Sequence, residues 1–102
     1  MLYRYIKPRD IILFVKDHPI IRKIKKGTFA YSPTIDEEGD LSVSVPNIDW
    51  DGRRGEEPFL LFLDKKYSKQ IIKYYADIDL DEILNTNKED ILAVVYSPKY
   101  HY

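Results

Sequence analysis

An acidic and a basic side chain that could act together chemically lie directly after the apolar run Phe59–Leu63. They are Asp64 and Lys66, which are two residues apart. A carboxylate can bind Mg²⁺, and a lysine amine can stabilise negative charge that develops on a substrate. The pair therefore indicates metal-dependent chemistry. The tripeptide Asp-x-Lys is common, however, and a solvated strand end is the competing interpretation.

The predicted order of elements around this pair is a helix, three strands, a helix and a strand. This order resembles the core of the PD-(D/E)XK nucleases, in which a carboxylate and a lysine two residues later leave a strand together. The resemblance implies that Asp64 and Lys66 are that pair and that Asp49 or Asp51 is the upstream metal ligand. The chain departs from the family at Pro46-Asn47, where the family has a Pro-Asp pair. A Mg²⁺-dependent nuclease is accordingly an alternative function.

A second acidic cluster follows the spacing that opens an EF-hand calcium loop. Its members are Asp77, Asp79 and Asp81. Glu82 occupies the position where the loop needs glycine for its sharp turn, and Lys88 occupies the position of the bidentate glutamate. Acidic residues at this spacing are also typical of a helix N-terminus. We therefore predict a helix start here and no metal site.

The chain contains two histidines, His18 and His101, which are too few for a ligand set of their own. His18 precedes Pro19 and is predicted to be a turn or helix-end residue. General acid–base catalysis by either histidine would require a nucleophile or a carboxylate within hydrogen-bonding distance. We predict no catalytic residue and no cofactor.

Basic and aromatic residues could together bind nucleic acid, because lysine and arginine neutralise phosphates and tyrosine rings stack on bases. The chain has nine tyrosines, but its net charge is −1 and its pI is about 6.1. Nucleic-acid-binding domains are usually strongly basic. Binding of nucleic acid through a basic patch is therefore a further alternative. The candidate basic residues are Arg22, Lys23, Lys25, Lys26, Arg53 and Arg54.

The segment 47–57 contains the only tryptophan, Trp50, with aspartates on both sides and Arg53 close behind. An aromatic side chain beside arginine is typical of protein-recognition surfaces. The competing interpretation is that Trp50 folds back over the core and that the arginines pair with Glu56 and Glu57.

Two stretches of the chain follow the same order of residue types. Each begins with an apolar run, continues with a lysine-containing apolar segment, and reaches Tyr-Ser-Pro. This order predicts two diverged motifs, at about residues 10–34 and 58–98, that pack together and share a groove. Tyr31 and Tyr96 stand at matching places and are the predicted groove walls, with Trp50 and Arg53 at the rim. In the competing interpretation, both tyrosines are core residues.

Composition predicts one small domain over residues 1–102, because the chain is 44% apolar and 32% charged. The longest apolar run has six residues, whereas a membrane-spanning helix needs about 20. The absence of cysteine excludes disulfides and favours an intracellular location. No secretory signal is expected at the N-terminus.

Local patterns predict an α+β fold. Residues 10–17 stay undecided between a helix capped by Asp10 and a buried strand. The other predicted elements are strands at 2–6, 59–63 and 91–96, a β-hairpin from 28–34 to 41–46 with its turn at 37–40, helices at 20–26 and about 68–76, and a short helix from Asp79 or Asp81 to about 85.

Length, the lack of cysteine, the tyrosine content and the two copies ending in Tyr-Ser-Pro together resemble a small accessory protein of an archaeal (Acidianus) filamentous virus that is built from two similar motifs. The resemblance implies an intracellular protein, in the host cytoplasm, that makes protein–protein contacts through the groove between its motifs. We therefore predict a non-enzymatic module that binds a peptide or protein segment, with no membrane contact.

Overall fold

The computed structural model describes residues 3, 5–46, 59–74, 79–86 and 91–97. Within these residues the protein is an α+β domain with a mixed sheet and little helix. The strands are β1 (Ile11–Phe14), β2 (Phe29–Ile35), β3 (Leu41–Val45), β4 (Phe59–Leu63), β5 (Ile71–Tyr74) and β6 (Ala93–Tyr96). A 3₁₀ helix (Lys65–Gln70) precedes β5, and α1 (Leu80–Thr86) precedes β6.

The strand order in the sheet is β4-β3-β2-β1-β6-β5. All neighbouring strands are antiparallel except β5 and β6, which are parallel. The first strand of the chain is thus central, paired with β2 on one side and with β6 on the other. A central strand is shielded on both faces, so Ile12, Leu13 and Phe14 are all buried. This position explains why the segment is a strand rather than a helix.

The two faces of the sheet are covered to different extents. One face carries the main core, which includes Ile12, Val43, Leu61 and Val95 together with Ile24 from the β1–β2 connection. The opposite face carries a smaller cluster of Leu13, Val15 and Val94, against which Leu80, Ile83 and Leu84 of α1 pack. Because Leu13 belongs to β1 and Val94 to β6, this cluster covers the β1–β6 part of the sheet.

The predicted β-hairpin is confirmed as β2 and β3. Asp36 closes the turn, since its Oδ1 accepts hydrogen bonds from the backbone N–H groups of Glu38 and Asp40 at 2.9 Å. Gly39 has φ +88°, a conformation that glycine adopts without strain. The predicted strand at 59–63 and the final strand are confirmed as β4 and β6, and the predicted short helix is confirmed as α1.

Two predicted helices are wrong. Residues 20–26 form turns between β1 and β2, because the chain must reverse over a short distance and so short an isolated helix is unstable. Residues 68–74 contain the end of the 3₁₀ helix and then β5, where the β-branched Ile71 and Ile72 pair with β6. The predicted strand at 2–6 is also wrong, since Tyr3 and Tyr5 lie in turns and Tyr3 has φ 64°.

The two stretches that were predicted to be related motifs begin and end with strands at their matching blocks. In residues 10–34 these are β1 and β2, and in residues 58–98 they are β4 and β6. Between them, the first stretch has turns where the second has β5, and α1 has no counterpart in the first stretch. The structure thus gives the two stretches different element orders between their outer strands.

Candidate functional site

A trough runs along β3 on the face of the sheet opposite the main core. Its floor consists of Ser42 and Ser44, whose small side chains alternate with the buried Leu41, Val43 and Val45. In the cross-strand register, Ser44 lies between Tyr31 of β2 and Leu60 of β4, and Ser42 pairs with Phe62 of β4. We call this set, Tyr31, Ser42, Ser44, Leu60 and Phe62, the β3 trough.

The walls of the trough are apolar and exposed to solvent. The exposed fraction is 66% for Phe62, 57% for Leu60 and 39% for Tyr31, whereas their neighbours Leu61 and Leu63 are buried. Antiparallel sheets usually present polar residues on a solvent-facing side. Strand β4 is instead apolar on both faces, which is typical of a surface that binds another chain.

The width of the trough follows from sheet geometry. Neighbouring strands lie about 4.8 Å apart, so the side chains of β2 and β4 rise roughly 10 Å apart on either side of the serines. An extended polypeptide fits a channel of that width. Phe29 and Tyr31 continue the apolar surface towards β1, and Ile72 and Tyr74 of β5 lie on the same face. This face thus carries six exposed large apolar side chains: Phe29, Tyr31, Leu60, Phe62, Ile72 and Tyr74.

The two tyrosines predicted as groove walls lie on this same face. Tyr31 is a wall of the β3 trough, and Tyr96 lies on β6, opposite Ile11 of the intervening β1. Tyr96 is half-buried and packs against the cluster under α1. Burial raises the pKa of the Tyr96 phenol, and nearby Tyr31 raises it further. Trp50 and Arg53, the predicted rim residues, lie outside the described residues.

A charged cluster that the sequence patterns did not indicate lies on the main-core face. Lys73 Nζ is 2.8 Å from Asp10 Oδ2, and the two side chains are only 4% and 2% exposed. Asp10 also accepts hydrogen bonds from the Ser97 hydroxyl at 2.7 Å and from the Lys7 N–H at 2.9 Å. Lys73 donates in addition to the Tyr5 carbonyl at 2.6 Å. These bonds join the N-terminal segment to β5 and to the end of β6.

The ionisation of Asp10 follows from these partners. Burial alone would raise the pKa of its carboxyl group, but hydrogen bonds from Lys73, the Lys7 N–H and Ser97 together hold the pKa below its usual value. The ion pair is therefore charged at neutral pH. A shallow cavity of about 300 Å³ lies beside it, lined by Tyr5, Ile71, Ile72 and Lys73. Since each Asp10 oxygen is already bonded, the cluster acts as a structural link.

The residues of the nuclease alternative are used differently. Asp64 and Lys66 are exposed, and Asp64 Oδ1 accepts a hydrogen bond from the Lys66 N–H at 2.9 Å, which caps the 3₁₀ helix. The nearby Asp40 Oδ1 accepts from the Lys65 N–H at 3.1 Å. Asp49 and Asp51 lie outside the described residues. Among the residues that are described, no three or more histidine or acidic side chains form a group that could hold a metal ion.

The second acidic cluster begins α1, as predicted for a helix start. Asp79 Oδ1 accepts a hydrogen bond from the Glu82 N–H at 3.1 Å, and Asp81 lies in the first turn. Asp77 and Lys88 lie outside the described residues. The carboxylate of Asp79 is thus a helix cap.

His18 is buried in the turn after β1. Its Nδ1 accepts hydrogen bonds from the N–H groups of Ile20 at 3.1 Å and Ile21 at 3.0 Å. Its ring lies edge-on to Tyr67 with centroids 5.3 Å apart, and its buried Nε2 has no hydrogen-bond partner among the residues that the structure describes. Burial lowers the pKa of His18, and the charge of Lys66 lowers it further. The ring is therefore a neutral acceptor that shapes the turn.

The basic residues of the β1–β2 connection are spread over its turns. Arg22, Lys25 and Lys26 are exposed, and Lys23 is half-buried. Asp17 reduces the local positive charge, because its carboxylate accepts from the Lys26 N–H at 2.8 Å and lies 4.0 Å from Lys25 Nζ. Arg53 and Arg54 fall outside the described residues.

Comparison of the chain with models of protein families, with curated proteins and with solved structures found no match. No helix in the described part of the chain is long and apolar enough to span a membrane.

Proposed function

We propose that the protein is a non-enzymatic interaction module that binds an extended segment of a partner protein in the β3 trough. The observation that carries this proposal is the exposure of Leu60 and Phe62 opposite Tyr31, across a floor of two serines. Burial of such side chains against a partner removes apolar surface from water, which stabilises a complex by about 25 cal/mol per Å².

The chemistry of the trough defines the partner. Its walls are aliphatic and aromatic, and it contains no charged side chain, so a partner segment with apolar residues at alternate positions fits it. The Ser42 and Ser44 hydroxyl groups can donate to and accept from the backbone of that segment. Tyr96 lies beyond Tyr31 and extends the apolar surface towards α1.

The resemblance to a small protein of an archaeal filamentous virus agrees with this function and implies an intracellular partner. That resemblance, the intracellular location and the duplication stay predictions. The binding proposal depends on none of them, since its support is the arrangement of side chains on β2, β3 and β4.

The proposal is tested with peptides selected from a random peptide library against the immobilised protein. Tyr31→Ala and Leu60→Ala should each weaken binding of a selected peptide by about 30-fold, which corresponds to the 2 kcal/mol of a typical hot-spot residue. Their melting temperatures should stay close to that of the native protein, because both side chains are exposed.

Ile20→Ala is the matched control, because Ile20 is 69% exposed and lies outside the trough. Equal binding by all three variants would exclude the trough as the site. Selection of no peptide, or of peptides that Tyr31→Ala binds equally well, would contradict the proposal.

A further inference from the structure

The two edge strands of the sheet differ in how they are protected against pairing with another chain. At the β5 edge, Gln70 O accepts from the Leu92 N–H on the β6 side, so the next carbonyl, that of Ile71, faces outward. The Tyr5 hydroxyl donates to this carbonyl at 2.8 Å. Lys73, in the same strand, points a charged side chain inward. A backbone carbonyl that is already hydrogen-bonded and a charged side chain that points into the domain both oppose pairing of this edge with another strand.

The β4 edge carries none of these devices within its own five residues. The strand Phe-Leu-Leu-Phe-Leu has no charge, no proline, no glycine and no bulge against β3. Within the described part of the chain, β4 pairs only with β3, so its other side presents backbone N–H and C=O groups. An uncharged apolar edge strand of this kind pairs readily with a further strand.

We infer that this strand pairs with β4 of a second copy of the chain, antiparallel, about a two-fold axis at Leu61. This axis places Leu60 of each copy directly opposite Phe62 of the other on the trough side, and Leu61 opposite its own symmetry mate. Each large exposed side chain thus gains an apolar cross-strand neighbour, which is the pairing that stabilises sheets. A two-fold contact closes on itself and forms a dimer rather than a fibre.

The low net charge of the chain supports a second copy as the partner that pairs with the β4 edge. The net charge of the chain is −1, so two copies repel each other only weakly. The five residues of β4 are uncharged, so no like charges oppose each other across the paired strands. The facing side chains are instead apolar on both strands, which makes this edge complementary to itself.

The dimer would join the two six-stranded sheets into one continuous sheet. Residues directly opposite each other in neighbouring strands point to the same face, so both β3 troughs would open on the same side. Although Leu60 and Phe62 are also walls of the β3 trough, this inference does not rest on the proposed partner binding, because its support is the unprotected backbone edge of β4.

Sedimentation equilibrium of the full chain tests the inference. The expected mass is twice the 12.1 kDa of one chain. Phe62→Lys should return the mass to that of one chain, because a charge on an edge strand opposes pairing. Ile72→Lys is the matched control: it adds the same charge on the same face at the other edge, and it should remain a dimer. A mass of one chain for the native protein at about 1 mM, or dissociation by Ile72→Lys instead, would overturn the inference.

Cross-linking tests the register and does not depend on the stability of the lysine variant. The chain has no cysteine, so introduced thiols are unique. An oxidised mixture of Leu60→Cys and Phe62→Cys chains should form a mixed disulfide, because directly opposite residues have Cα atoms within disulfide range. Each variant alone should cross-link far less, since the diagonal distance is about 7–8 Å. Cross-linking of either variant alone as fast as the mixture would exclude this register.

Discussion

At the scale of single residues, the structure assigns polar side chains to structural tasks that the sequence patterns had left open. Asp10 is an ion-pair partner of Lys73 rather than a helix cap, and Asp64 is a cap rather than a metal ligand. His18 holds a turn through its Nδ1 atom. Each of these groups is engaged by backbone or side-chain partners within the domain, and two consequences for stability follow.

Removal of the Asp10 carboxylate should destabilise the domain strongly. Asp10→Ala leaves the buried Lys73 amine without its counter-ion, and loss of one partner of a buried pair costs about 3–5 kcal/mol. Urea unfolding measures this loss. Asp17→Ala is the control, since its ion pair with Lys25 and its hydrogen bond from the Lys26 N–H are both exposed and together contribute only about 1–2 kcal/mol. Equal unfolding midpoints for the two variants would contradict the structural role of the cluster.

The free energy of unfolding should fall in mild acid because of His18. The pKa of His18 is lowered by burial in the folded state, so the unfolded chain, with a pKa near 6.5, binds a proton first. The stabilisation is complete above pH 6.5 and is lost as the pH falls from there through the folded-state pKa. Protonation of Nδ1 would also remove the two hydrogen bonds that it accepts.

Urea unfolding between about pH 8 and pH 5.5 tests this dependence. His18→Asn is the matched control, because the asparagine Oδ1 can accept the same backbone N–H bonds and does not titrate. The variant should lose less stability than the native protein over this interval. Parallel losses would assign the acid sensitivity to other groups, His101 included.

At the scale of elements, pairing in the sheet decided which segments became strands. The isoleucine pair in β5 is held by β6, and the basic segment 20–26 is a connection between two antiparallel neighbours. The 3₁₀ helix after β4 uses Asp64 as its cap and buries Tyr67. This use bears directly on the nuclease alternative.

We predict that the protein does not cleave plasmid DNA in the presence of Mg²⁺. The Asp64 carboxylate accepts the Lys66 N–H that begins the 3₁₀ helix, and metal binding would compete with this bond. Incubation of supercoiled plasmid with and without Mg²⁺, followed by electrophoresis, checks the prediction. Cleavage that requires Mg²⁺ and is abolished by Asp64→Asn would refute it and restore the nuclease.

At the scale of the whole molecule, the uneven cover of the sheet is the feature from which both proposals derive. The main core closes one face, whereas on the other face, among the described residues, α1 packs over β1 and β6. The apolar side chains Leu60 and Phe62 of β4 therefore stay exposed on the open face. Strand β4 is also an edge strand of the sheet. The exposed face supports partner binding, and the edge supports self-association.

Much of the fold could be predicted from the sequence because its signals are local. The alternation of Leu41-Ser42-Val43-Ser44-Val45, the turn at Asp36 and Gly39, the apolar run of β4 and the acidic start of α1 each act within a few residues. The apolar content likewise predicted a single folded domain, and the lack of cysteine excluded disulfides.

Only the tertiary structure decided what those elements lie against. The strand order places β3 between β2 and β4, so two serines become the floor of a trough whose walls come from distant parts of the chain. Residues 10–17 were ambiguous between helix and strand, and the central position of β1 in the sheet made part of this segment a buried strand. The same position places Asp10 beside Lys73. Local patterns predicted helices at residues 20–26 and 68–74, but helix propensity is weak in segments this short. Hydrogen bonds within turns replace the first helix, and pairing of β5 with β6 replaces most of the second.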